Sequence, residues 1–177
     1  PRRDSWREIG QLCKVQCLTS VSKVLAGGDL WLQSVLIGLC EVSDQSDFIA
    51  SHDGARPFVT RAVIEEAVTR AQVAGAAAPG VPVKDTIKVV VHGIVASTLP
   101  RETLYAIQTP QVFEASLLKV AIDKALEDDA AMTDDWAAVE RIGFSVFVPT
   151  GSVLNIKLTP PEDLVLGESI LARRTWY

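Results

Sequence analysis

The sequence predicts an α/β sandwich built on a mainly parallel sheet. Two patterns carry that prediction. Short apolar, often β-branched runs alternate along the chain with longer segments of helical period, the pattern of strand–helix–strand units. Polar clusters follow several predicted strands: Gly27-Gly28-Asp29, His52-Asp53, Lys84-Asp85-Thr86 and Asn155-Ile156-Lys157. Ligands of open α/β sheets bind beyond the C-terminal strand ends, so these clusters point to one shared site. No repeat, linker or low-complexity segment divides the 177 residues, which read as a single domain, residues 1–177.

The elements follow in order. Residues 4–13 have helical spacing, with Asp4 as N-cap. Residues 20–26 read as a short strand ending at Gly27-Gly28. Residues 34–42 read as a helix, with Val35, Leu36, Leu39 and Val42 in period. Phe48-Ile49-Ala50 is a short strand that stops at the polar run from His52 to Pro57. Thr60 caps a helix over 61–73, with Glu65 and Glu66 near its start. Residues 76–83 suit a buried strand feeding the Asp85-Thr86 turn. Residues 87–91 and 94–97 flank His92-Gly93 as a hairpin. Residues 115–127 and 134–142 are helices, 144–148 is a strand, and Pro160 or Pro161 opens a last helix reaching about residue 172.

Composition narrows the function. The formal charge of −5 argues against a broad nucleic-acid surface, which needs a basic stripe. It leaves room for a small anionic ligand held by a few Lys, Arg and backbone N–H groups. No apolar run approaches the roughly 20 residues of a membrane span. Cys13, Cys17 and Cys40 are too few for a paired framework and lack the spacing of a zinc site; they read as reduced thiols of a cytosol-like compartment. Residue 1 is Pro and the only Met is Met132, so the chain is expected to be processed or truncated, or to follow a segment outside it.

Few residues stand out as candidates for chemistry. Asp53, after an apolar strand and before Gly54, can hold Mg²⁺ through oxygen or position a substrate hydroxyl; it can equally be a turn Asp paired with Arg56. Arg56 can grip a phosphate bidentately or serve only that pair. Lys157, between Ile156 and Leu158, either snorkels to water or faces a cleft as a point charge for a phosphoryl-like transition state. Lys88 and Arg101 add positive charge or flank a solvated hairpin. Thr86 and Thr109 offer hydroxyls. His52 reads as a hydrogen-bonded structural residue, since neither it nor His92 has a Ser or Cys partner in a recognised motif.

Taken together, several segments resemble one family. They are Ala26-Gly27-Gly28 with Ser34-Val35 and Gly38-Leu39; the run His52 to Val59; the run Pro82 to Lys88; Arg101; Gln108-Thr109-Pro110-Gln111-Val112-Phe113; Thr133-Asp134-Asp135; and Asn155-Ile156-Lys157-Leu158-Thr159 with Pro161-Glu162-Asp163-Leu164. In this order and spacing, over residues 19–172, they are similar to the 2-C-methyl-D-erythritol 4-phosphate cytidylyltransferases. The resemblance implies a Rossmann-like three-layer sandwich of the nucleotide-diphospho-sugar transferase type. It implies a projecting β-hairpin arm, residues 84–108, that builds a homodimer. It implies cytidylyl transfer from CTP to a polyol phosphate with Mg²⁺, in the cytoplasm or a plastid stroma. Lys157 and Arg101 would be catalytic, with Arg101 reaching the neighbouring subunit's site. Asp53, Arg56, Thr86, Arg101 and Thr109 would hold the polyol phosphate. Gly28, Asp29, Ser34 and Gly54 would line the cytidine pocket, and Asp53 would be the metal ligand.

Two departures qualify the resemblance. The family's opening strand and glycine-rich triphosphate loop have no match here, so the chain is expected to start after them. Trp31 and Gln33 stand where the family has an Arg and usually an Asp, and Trp cannot replace the donors of an Arg. The same chemistry on ribitol 5-phosphate, as in related enzymes, is one alternative; the missing loop and Trp31 motivate a second, a homologue that dimerises or binds nucleotide without turnover.

Overall fold

The computed structural model describes residues 5–128 and 134–173. Asp4 and Thr133, singled out in the sequence, lie outside them. The first helix, α1 (Ser5–Val15), is followed by α2 (Trp31–Leu39) and β1 (Phe48–Ser51). Next come α3 (Arg61–Ala74), β2 (Ala76–Ala77), β3 (Gly80–Pro82), β4 (Lys88–Val91), β5 (Ile94–Thr98), β6 (Tyr105–Ile107) and β7 (Gln111–Glu114). The helices α4 (Ala115–Glu127), α5 (Asp135–Arg141) and α6 (Glu162–Arg173) complete the order.

The central sheet has the order β1-β7-β2. Both neighbours pair antiparallel with β7, in the registers Ser51↔Gln111 and Ala77↔Val112. β1 and β2 therefore run the same way, and Phe147 joins Ala77 through a parallel bridge. The sheet is parallel in direction apart from β7, which is inserted against it.

Successive side chains of a strand face opposite sides, and β7 shows the consequence. Phe113, with Ala76, packs under Leu118, Ile122 and Ala125 of α4 and Ala138 and Val139 of α5. Val112, with Ala77, packs against Ala67 and Ala71 of α3. Helices thus cover both faces of the sheet, giving three layers. Ala67 and Ala71 of α3 and Ala76 and Ala77 of β2 are fully buried; their small side chains let helix and sheet approach closely.

Local chemistry explains the well-predicted elements. The Thr60 hydroxyl accepts the N–H of Val63 and caps α3. In the β4–β5 hairpin, His92 and Gly93 have φ of 50° and 80°. Two left-handed residues in a two-residue loop match the right-handed strand twist.

Other expectations are corrected. Residues 20–26 form no strand, because no neighbouring segment pairs with their backbone among the described residues. The helix expected over 34–42 starts at Trp31 and ends at Leu39, since the Gln33 side chain accepts the N–H groups of Asp29 and Leu30 and opens it early. The strand expected over 76–83 divides at Ala78-Pro79: β2 belongs to the central sheet, while β3 pairs with β6. The strand expected over 144–148 is reduced to single bridges at Phe147 and Thr150. Among the described residues, no helix is long and apolar enough to cross a membrane.

Candidate active site

The C-terminal end of β1, the N-terminal end of β7 and the start of α5 meet at one edge of the sheet. A cavity of about 280 Å³ opens there, lined by Ser51, Asp53, Arg56, Thr109, Asp135 and Lys157 among others. Residues 104 positions apart close it: the Lys157 Nζ donates to Asp53 Oδ1 at 3.3 Å and stands 3.2 Å from Oδ2.

Arg56 completes an ionic triad. Its Nε donates to Asp53 Oδ2 at 3.0 Å, and its Nη1 to the Asn155 carbonyl at 2.8 Å. Arg56 is mostly buried, whereas Lys157 is half exposed. The two cations therefore differ in freedom: Arg56 is fixed from two sides, and Lys157 projects from a loop with Asp53 as its one ion-pair partner among the described residues. Burial pushes the Asp53 carboxyl up, but the hydrogen bonds and charges of Lys157 and Arg56 outweigh it and hold the group below the usual carboxylate range.

His52 and Thr109 act as a brace under this triad. The Asp53 N–H donates to Thr109 Oγ1 at 3.0 Å, and that hydroxyl lies 2.9 Å from His52 Nδ1. His52 Nε2 lies 3.2 Å from the Arg56 carbonyl. Since a carbonyl only accepts, Nε2 carries the proton, and Nδ1 accepts from Thr109. The structural reading of His52 therefore stands. Thr109 is also among the residues that line the cavity.

Sequence reasoning assigned no role to the acidic wall of this cavity. Asp134 Oδ1 caps α5 by accepting the Ala137 N–H, and Oδ2 accepts from Gln111 Nε2. Gln111 Oε1 accepts the Trp136 N–H. Asp135 is 3% exposed and, among the described residues, its Oδ1 has no hydrogen-bond partner. Burial raises its pKa, the charges of Asp134 and Asp53 raise it further, and a hydrogen bond with Ser51 opposes them. The signal in the sequence was the Asp134-Asp135 pair opening a helix, which by itself specifies a cap and not a crevice.

The remaining candidates lie elsewhere. Thr86 and Arg101 are exposed and do not line the cavity; Arg101 donates to the Lys84 carbonyl at 3.0 Å. Lys88 donates to Thr98 across the hairpin. Gly28, Asp29 and Ser34 gather at the start of α2, where the Gly28 N–H donates to Ser34 Oγ. A Cβ on Gly28 would fall 2.4 Å from that of Gln33, so the turn requires glycine. Gly54 is exposed, with open space where a Cβ would stand.

Magnesium prefers hard oxygen ligands, and Asp53 supplies that chemistry. Both of its oxygens, however, are already engaged by cations. Among the described residues no three His, Cys, Asp or Glu side chains form a metal-binding group. The residues in place do not fit a metal ion held by the protein alone.

The family model for 2-C-methyl-D-erythritol 4-phosphate cytidylyltransferase matches residues 4–173. The enzyme of that name from Halalkalibacterium halodurans is 45% identical over 167 residues, which are 94% of this chain and 73% of that protein. Its counterpart from Clostridium novyi is 46% identical over 164 residues, 92% of this chain and 71% of that one. The crystal structure of 4-diphosphocytidyl-2C-methyl-D-erythritol synthase from Anaerococcus prevotii superposes with a TM-score of 0.85 at 27% identity, covering 97% of this chain and 79% of that one. The Thermus thermophilus cytidylyltransferase structure gives 0.77 at 34% identity, with 84% and 72% covered. With a family model spanning nearly its whole length and a matching fold, this chain belongs to the 2-C-methyl-D-erythritol 4-phosphate cytidylyltransferase family.

Proposed function

We propose that the Asp53–Lys157 crevice transfers a cytidylyl group from CTP to 2-C-methyl-D-erythritol 4-phosphate, the nucleotidyl transfer of this family in isoprenoid biosynthesis. The observation that carries this reading is the convergence of Lys157, Arg56 and Asp53 on one cavity. A phosphate oxygen of the polyol phosphate attacks the α-phosphorus of CTP. The bond from that phosphorus to the bridging oxygen breaks, and pyrophosphate leaves with the electron pair. The protein forms no covalent bond in this step; its work is alignment and charge neutralisation.

Lys157 suits the second task. Its ammonium is a mobile point charge, held in the cavity by a carboxylate that an incoming phosphate can replace. Asp53, released from Lys157, accepts a polyol hydroxyl. Arg56, anchored by the Asn155 carbonyl, and the Thr109 hydroxyl hold the substrate beside it. The cytidine lies near Gly28, Asp29, Ser34 and Gly54, where backbone groups read the base. Magnesium, which these residues do not hold by themselves, would come with the nucleotide and would offset part of its phosphate charge.

Thr86 and Arg101 join the substrate through assembly. The hairpin exposes Val90 and Ile94 at 55% and 73%, and a second copy of this arm suits that apolar surface. In such a homodimer Arg101 reaches the neighbouring crevice.

The test is pyrophosphate release by the full-length protein with CTP and each polyol phosphate. Methylerythritol phosphate is expected to support turnover and ribitol 5-phosphate not. Lys157→Ala is expected to lower turnover by about 10²–10³-fold with an unchanged circular dichroism spectrum. Undiminished turnover in that variant would remove Lys157 from the reaction.

A further inference from the structure

Gln108 is 6% exposed and uses both ends of its amide on one turn. Its Nε2 donates to the Ser152 carbonyl at 2.8 Å and to the Asn155 carbonyl at 3.4 Å. Its Oε1 accepts the Ser152 N–H at 3.1 Å and the Asn155 Nδ2 at 3.5 Å. The turn presses closely on this amide: a Cβ on Gly151 would stand 2.5 Å from Oε1 and 3.2 Å from the Gly80 carbonyl. The chain then leads directly into the crevice. The Asn155 carbonyl gripped by Gln108 also receives Arg56 Nη1, and Lys157 follows two residues later. Asn155 itself is fully buried and donates to the Thr109 carbonyl at 3.0 Å.

We propose that Gln108 is a positioning residue, which clamps the 151–155 turn and thereby sets Lys157 and Arg56 at their places around Asp53. This rests on the reading of Lys157 as the cation of the reaction. Gln108 is not among the residues that line the cavity. Its neighbour Thr109 lines the cavity, and its own backbone N–H is fixed to the Pro79 carbonyl at 2.7 Å, so the clamp is anchored on the sheet side. An amide is required because only it offers donor and acceptor at once to a turn that presents both. Loss of the clamp frees the loop, and small displacements of a reacting group are costly.

The experiment is a double-mutant cycle in the full-length enzyme. Gln108→Met keeps the length and removes all four bonds. It is expected to lower kcat about a hundredfold, with activity normalised to the folded fraction from thermal melts. Lys157→Ala is made alone and combined with Gln108→Met. If Gln108 acts through Lys157 and Arg56, Gln108→Met costs clearly less in the Lys157→Ala background than in the wild type. A fully additive loss, or wild-type kcat in folded Gln108→Met, overturns the clamp alone. Wild-type kcat in Lys157→Ala overturns the clamp together with the proposed reaction. Should Gln108→Met fail to fold, Gln108→Asn carries the same cycle: it keeps the amide on a side chain one methylene shorter, which no longer spans the turn with both ends, and is expected to be impaired to a lesser degree.

Discussion

The crevice and the β4–β5 hairpin are built on opposite principles. In the crevice, Asp53, Thr109 and Lys157 meet from distant parts of the chain, and each polar group is held by others. In the hairpin, every pairing is between residues close in sequence, and both strands are exposed along their whole length. One region draws its ion pairs and hydrogen bonds from remote segments of the chain. The other has regular backbone pairing and an apolar surface that a single chain leaves uncovered. A fold can thus be finished locally and still be unfinished as a surface.

The comparison sharpens first at the core beneath the crevice. Phe113 is fully buried on β7, and Phe113→Ala is expected to cost about 3–5 kcal/mol in a urea melt. A loss under 1 kcal/mol would mean that the sheet does not depend on its central strand. A smaller effect is expected for Arg101→Ala, whose carbonyl partner Lys84 is local. Its KM for the polyol phosphate should rise roughly tenfold, about 1.4 kcal/mol. Mixed dimers of Arg101→Ala with Lys157→Ala should regain about a quarter to a half of the activity if the arm completes the neighbour's site; no recovery confines Arg101 to its own subunit.

Within the crevice, two carboxylates are expected to pull stability in opposite directions with pH. Asp53 is depressed in the folded state, its burial being outweighed by Lys157 and Arg56. Its contribution is present above pH 3.8 and lost as pH falls through the folded value. Asp135 is raised, by burial first and then by its acidic neighbours. Its cost is absent well below pH 3.8, grows as pH rises from there to the folded value, and is complete above it. Asp135→Asn should therefore raise Tm at neutral pH and lose that advantage in acid. An equal shift at both pH values would show that the variant acts through packing. Smallest of all, Val90→Ala on the exposed hairpin should change the melt of dilute monomer by less than about 0.5 kcal/mol, while light scattering reports any loss of dimer. A large destabilisation of the monomer would show that the arm folds back onto its own chain.

Local chemistry made much of this molecule legible. Thr60 announces α3 because a hydroxyl before a helix has a donor waiting for it, and α4 spans the predicted residues 115–127 because its apolar period is intact. His92-Gly93 marks the hairpin turn by the same kind of rule. Residues 20–26 show the limit: an apolar run is a strand only where another backbone pairs with it. β7 shows the converse. Its four residues carry no alternation, since Val112 and Phe113 are buried on opposite faces of the sheet.

The site divides in the same way. Asp53, Arg56, Thr109 and Lys157 could be named as candidates from residue type and motif, but each kept a bland alternative in the linear chain. The sequence by itself determined the helices, the hairpin and the kinds of side chain available. Tertiary structure alone decided that Lys157 faces Asp53, that Asp135 is buried beside them and that Gln108 grips the loop carrying the lysine. The reason is physical: caps and periods act over three or four residues, whereas desolvation and ion pairing depend on distances that exist only after the sheet has brought remote segments together.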